Sequence, residues 1–138
     1  MRIAIVASDY APTVGGVQTA VRNIAYLSAR AGHSVTILSA LPPGNAPTTE
    51  TMDGIIVHRF SWGRRPLWSL PFRAVRTLLG MACALRACQP DLVYVHFLTI
   101  NALYVLLLHY VLRFRLVVSA RDNDIQGIPL RSRGPLPV

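Results

Sequence analysis

The sequence predicts an α/β protein built on a mostly parallel sheet with helices on both faces. Three observations carry that expectation. Apolar runs too short for helices alternate with longer segments of helical spacing along the chain. The runs are continuously apolar, as strands buried on both faces of a sheet must be. The composition agrees, with 52% hydrophobic and only 14% charged residues in 138. That length suits one domain and not two.

Arg2 to Ser8 (RIAIVAS) reads as the first, central strand. A loop follows over Asp9 to Val14. Gly15-Gly16 then opens a helix whose apolar spacing runs through Val17, Ala20, Val21, Ile24 and Leu27 and closes at Gly32. Ser34 to Ala40 (SVTILSA) is the second strand. Leu41 to Met52 holds Pro42, Pro43, Gly44 and Pro47 and is expected to be a loop. Asp53-Gly54 makes a tight turn into the strand Ile55 to Phe60. A basic and aromatic connector leads to a helix from about Phe72 to Ala87, which Gln89-Pro90-Asp91 ends. Leu92 to His96 is the next strand, Asn101 to Leu112 the next helix, and Arg115 to Ala120 (RLVVSA) the last strand. The whole is a Rossmann-like three-layer sandwich, with one domain over residues 1–128 and a flexible tail at 129–138.

The apolar stretch Leu92 to Leu112 has the length of a membrane span. His96, Thr99, Asn101 and His109 interrupt it, so it reads as a buried strand and a buried helix. The N-terminal run Ile3 to Ala7 is too short for a signal peptide. Cys83 and Cys88 read as small buried or half-buried thiols with no zinc-ligand spacing, so no metal is expected.

Net charge is +8, and all 14 basic residues are arginine. Such a balance suits nucleic acid, an anionic membrane or an anionic substrate. No basic run exceeds two residues and no nucleic-acid-binding signature is present, so nucleic acid is not expected as a partner. Arg59 to Arg76 interleaves arginine with aromatics. Within it, Trp62, Arg64, Arg65 and Trp68 are candidates for contact with an anionic membrane surface. A linker with packed aromatics and solvated arginines is the other reading of the same residues, and the one they favour.

Gly15-Gly16 falls where a helix begins. Paired glycines there let a ligand approach the backbone, and free N–H groups at a helix N-terminus attract anions such as a diphosphate. A plain turn is the other reading. The dinucleotide fingerprint is absent, and the phosphate loop of NTPases needs a lysine that the chain lacks. The chain has no acidic cluster at strand ends, which counts against a phospho-receiver.

The run Ile5 to Gly16, with its Asp9-Tyr10-x-Pro12-x-x-Gly15-Gly16 loop, then Arg30-Ala31-Gly32-His33-Ser34-Val35-Thr36, resembles the start of family 4-type glycosyltransferases. Asp53-Gly54-Ile55, Pro90-Asp91-Leu92-Val93-Tyr94-Val95-His96 and Ser119-Ala120-Arg121-Asp122-Asn123-Asp124 resemble three later blocks of that family, in order. The resemblance implies the N-terminal, acceptor-side half of a two-domain GT-B architecture, with no cofactor. It implies that Gly15, Gly16 and Arg121 face the substrate and its diphosphate. His96 and Asp124 become candidates for the catalytic base, between which the sequence does not choose. Arg121 and Asp124 pairing with each other is the structural alternative.

The implied partners are a sugar nucleotide, held mainly by a C-terminal domain that carries a glutamate pair, and a sugar or lipid-linked acceptor. Glu50 is the one glutamate here and lies in the wrong region for that pair. The chain alone is therefore expected to be inactive, cytoplasmic and placed at the inner face of the plasma membrane. The family has glycine where this chain has Asp122. That departure, with the missing half, supports a second reading as a non-catalytic binding or assembly module, or a truncated remnant, of the same fold.

Overall fold

A computed structural model describes residues 1–12, 15–40, 48–60, 70–96 and 100–120. Its elements are β1 (Arg2–Ala7), α1 (Gly16–Arg30), β2 (Ser34–Ala40), β3 (Thr48–Met52), β4 (Ile55–Phe60), α2 (Leu70–Cys88), β5 (Leu92–His96), α3 (Ile100–Leu112) and β6 (Arg115–Ser119). The six strands form one sheet in the order β3-β4-β2-β1-β5-β6. Every neighbouring pair is parallel except β3 with β4.

Strand alternation divides the core between the two faces. From β1, Ala4 and Val6 join Leu38, Val93 and Val95 beneath Met81 and Leu85 of α2 and Val105 and Leu108 of α3. Ile5 and Ala7 point the other way, joining Ile37, Ile55 and Val57 beneath Val21 and Ala25 of α1. This is the doubly wound arrangement expected from the alternating pattern.

The segment after Pro47 departs from expectation. Thr48–Met52 is an antiparallel edge strand, not a loop, paired with β4 from Thr48↔Arg59 to Met52↔Ile55. The two-residue connection Asp53-Gly54 explains it. Both residues have positive φ, 52° and 77°, the geometry that closes a tight hairpin with the twist of its strands. Three β-branched threonines, Thr48, Thr49 and Thr51, suit the strand that this turn folds back.

Gly32 ends α1 as the sequence indicates. Its φ of 84° lets the Gly32 amide donate to the Ala29 carbonyl and the His33 amide to that of Ser28. Two otherwise orphaned helix carbonyls are thereby satisfied. Cys88 is half-buried, whereas Cys83 is exposed on the outer side of α2, a correction to the expected burial. The tail 129–138 lies outside the described residues.

At the amino ends of the strands, Asp91 joins β1 to β5. Its Oδ2 accepts the Arg2 amide at 2.7 Å, and its own amide donates to the Arg2 carbonyl at 2.8 Å. The Pro90-Asp91 block thus has a structural use. The Asp91 carboxyl is held below its ordinary value of 3.8, first by the Arg2 amide and then by the Arg2 guanidinium. The folded carboxylate resists protonation more than the unfolded one does. Its contribution is therefore present above about pH 4 and is lost as pH falls through the lower folded value. Asp91→Asn should flatten the acid limb of a stability-versus-pH curve below pH 5 and leave its shape near pH 7 unchanged, measured by urea unfolding.

Candidate functional site

The carboxyl ends of the parallel strands gather the polar residues. Ala7 pairs in register with Ser39 on one side and His96 on the other. Ser39 pairs in turn with Arg59, and His96 with Ser119. Registered partners share a face, so Arg59, Ser39, His96 and Ser119 form a row on the α1 side of the sheet. Ser39 is fully buried, His96 is 1% exposed and Arg59 5%. Ser39 Oγ and Arg59 Nη1 find no hydrogen-bond partner among the described residues. Polar side chains here, in a sheet otherwise filled with aliphatics, mark the end where ligands of open α/β sheets bind.

The loop from β1 to α1 lies at this same end. Gly15 is extended and stands as the N-cap of α1, its carbonyl accepting from the Thr19 amide at 3.0 Å and from Thr19 Oγ1 at 2.9 Å. No side chain caps the helix, and its first turn carries no acid. A Cβ on Gly15 would meet Gln18 Oε1 at 2.5 Å, whereas one on Gly16 would meet nothing within 4 Å. Gly15 is thus fitted to its neighbour and Gly16 faces open space. The positive end of the helix dipole points there.

Arg59 holds this loop in place. Its Nε donates to Glu50 on β3 and its Nη2 to the Ala11 carbonyl. One buried guanidinium therefore ties the outer hairpin to the glycine-bearing loop. This corrects the reading of Arg59 as part of a membrane-facing stretch, because it lies inside the domain. Alternation in Ile55–Val57–Arg59, apolar at the first two positions, is the signal that places it on the buried face. Burial pushes the neighbouring Tyr10 phenol above its ordinary pKa.

Beside the loop runs a groove of about 670 Å³, walled by Ala11 and Pro12, by Gln18, Arg22 and Tyr26 along α1, and by Asp53. Arg22 closes one side by pairing with Asp53 at 2.9 Å.

Of the sequence-derived candidates, Gly15, Gly16 and His96 meet at the carboxyl end. The His96 ring lies 6.0 Å from that of Tyr94, with Nδ1 3.3 Å from the Tyr94 hydroxyl. Arg121 and Asp124, like Trp62, Arg64, Arg65 and Trp68, lie outside the described residues. The other histidines stand elsewhere. His33 is at the amino-end edge, 3.5 Å from the N-terminal amine. His58 Nδ1 is 2.9 Å from Thr49 Oγ1 across the hairpin. His109 packs on Phe114. No group of three or more potential metal ligands occurs among the described residues.

A doubly wound sheet with an uncapped glycine entry to its first helix defines the class, and the comparisons agree. Residues 15–136 match the glycosyl transferase 4-like domain, and the chain belongs to that family. A GDP-mannose-dependent alpha-mannosyltransferase from Mycolicibacterium smegmatis is 35% identical over 96 residues, covering 68% of this chain and 25% of that protein. A glycogen synthase from Mycobacterium tuberculosis is 31% identical over 114 residues, covering 70% and 28%. The chain thus spans about a quarter of the length of these relatives. Sucrose-phosphate synthase from Thermosynechococcus elongatus superposes with a TM-score of 0.73 at 15% identity, over 96% of this chain and 36% of that one. The architecture is that of one half of a GT-B glycosyltransferase.

Proposed function

We propose that this domain supplies the acceptor-side wall of a cleft in which a sugar passes from a sugar nucleotide to a sugar or lipid-linked acceptor. The observation that carries the proposal is the first turn of α1. It is uncapped and free of acids, opens onto unfilled space at Gly16, and stands beside the polar row at the carboxyl end of the sheet. A diphosphate has the charge that such a terminus favours. In this reading Gly15 and Gly16 face the diphosphate, with Arg121 beside them, and the nucleotide is gripped mainly by a C-terminal domain.

His96 and Asp124 are the candidates for the base that activates the acceptor. The 1% exposure of His96 supports a role for it in the cleft floor, which leaves Asp124 as the better candidate for proton transfer. Named relatives suggest GDP-mannose as donor. The proposal includes placement at the inner, anionic face of a membrane.

The chain alone should not turn over sugar nucleotide. Incubating it with GDP-mannose or UDP-glucose and a range of lipid and sugar acceptors should release no nucleoside diphosphate above background. Turnover would refute the half-site assignment. Asp122, where the family has glycine, favours the second reading of a binding module without catalysis. Under that reading a version joined to a donor-binding domain would bind sugar nucleotide and still fail to transfer.

A further inference from the structure

We propose that Tyr94 is a positioning residue that makes His96 a fixed hydrogen-bond donor and so removes it from the candidates for the catalytic base. The proposal deepens the cleft assignment above and rests on it for the ligand that the donor meets. Both residues belong to β5, two apart, and so stand on the same face of the sheet. That is the α1 side, where the Tyr94 ring packs against the core built by Ile5, Ile37 and Val57. In register, Tyr94 stands beside Ile5 and His96 beside Ala7. The imidazole is 1% exposed, so its nitrogens depend on fixed partners and not on bulk water. The Tyr94 hydroxyl lies 3.3 Å from Nδ1, with the ring planes at 37° to each other.

The chemistry of the pair sets the direction of that bond. A phenol is the better acid of the two, and a neutral imidazole nitrogen the better base, so the hydroxyl donates and Nδ1 accepts. A neutral imidazole carries one N–H. With Nδ1 accepting, that hydrogen sits on Nε2. A histidine that works as a base through Nε2 needs the reverse arrangement, an Nδ1–H held by an acceptor such as a carboxylate. The described acids do not supply one. Glu50 pairs with Arg59, Asp53 with Arg22 and Asp91 with Arg2, and Asp9 is exposed.

His96 belongs to the polar row at the carboxyl end of the sheet, with Ser39 and Arg59. A fixed Nε2–H there suits an oxygen with lone pairs to offer, such as a hydroxyl of a sugar acceptor. It orients that hydroxyl and takes no proton from it. In the cleft the proton of the reacting hydroxyl then goes to another group, for which Asp124 remains the candidate.

Long-range ¹H–¹⁵N spectra of the imidazoles test this on the ¹⁵N-labelled chain at pH 8, where an ordinary histidine is neutral. His96 should show one tautomer, protonated at Nε2 and bare at Nδ1, with a slowly exchanging Tyr94 hydroxyl proton correlated to Nδ1. Tyr94→Phe keeps the packed ring and removes only the donor. It should lose that proton and raise the Nδ1–H form of His96 at least tenfold, while leaving Tm and the tautomers of His33 and His58 as in the parent. A parent His96 protonated at Nδ1, or the same tautomer balance in Tyr94→Phe, would overturn the assignment. The spectra need no ligand, so they decide the role of Tyr94 even if the chain proves not to bind sugar nucleotide, which would count against the cleft assignment alone.

Discussion

Arg59→Met should destabilise the domain by about 3 kcal/mol, read from urea unfolding followed by circular dichroism. The substitution retains an unbranched side chain of similar length in a 5% exposed site, so little packing is lost. What goes is the charge and its bonds. Glu50 loses its Nε–H donor and the Ala11 carbonyl loses Nη2. Removing one partner of a fully buried ion pair costs roughly 3–5 kcal/mol. The lower end applies because the Glu50 side chain is 41% exposed and recovers water. Glu50→Gln should cost about 1 kcal/mol, since the amide oxygen still accepts from Nε. The double variant should cost clearly less than the sum of the two singles, as coupled neighbours do. Additive costs would mean that the two residues act independently and that Arg59 does not link the hairpin to the loop through this pair.

Gly16→Glu separates stability from binding. The position is helical and opens on empty space, so the side chain enters without a clash. An acid in a first turn that has none should stabilise α1 by about 0.3–1 kcal/mol through the helix dipole. The same charge sits where the proposal puts the donor diphosphate and should weaken sugar-nucleotide binding by tenfold or more, about 1.4 kcal/mol. Gly16→Ala should also raise stability, by about 0.5–1 kcal/mol, while leaving binding within a few-fold. A glycine kept for chain geometry alone would give the opposite pattern, with both variants destabilised and binding lost in step.

The fold was legible wherever a strand is apolar along most of its length, whether or not both of its faces are covered. β1, β2, β4, β5 and β6 announce themselves as apolar runs bounded by turn residues, and the glycines at 15, 16 and 32 bracket α1. β3 was hidden because it consists of three threonines, a glutamate and a methionine and so carries little apolar signal, and the prolines at 42, 43 and 47 extend a loop reading past its end. Asp53-Gly54 between two runs of β-branched residues was the available clue. The Arg59–Glu50 pair follows from the hairpin. Thr48 stands opposite Arg59, so Glu50 lies on the same face one diagonal away, within reach of a long side chain. Without β3 that pairing cannot be drawn.

The outer stripes of α2 and α3 were illegible for a different reason. α3 is apolar nearly all round, and α2 carries Phe72, Val75 and Leu79 exposed beside its arginines, so periodicity does not say which side meets the sheet. Of the candidate site, the order of the family blocks gave positions but not roles. Gly15 and Gly16 look alike in sequence. Only their surroundings distinguish the one fitted against Gln18 from the one facing open space.

The central claim is that the N-terminus of α1 faces the diphosphate of a sugar nucleotide. A titration of the ¹⁵N-labelled chain with GDP-mannose to millimolar concentration, followed residue by residue in amide spectra, tests it most directly. Saturable shifts concentrated at Gly15, Gly16 and Val17, reproduced by pyrophosphate and abolished in Gly16→Glu, are the predicted result. Shifts confined to other parts of the sheet, or no shift at the first turn of α1, would contradict it.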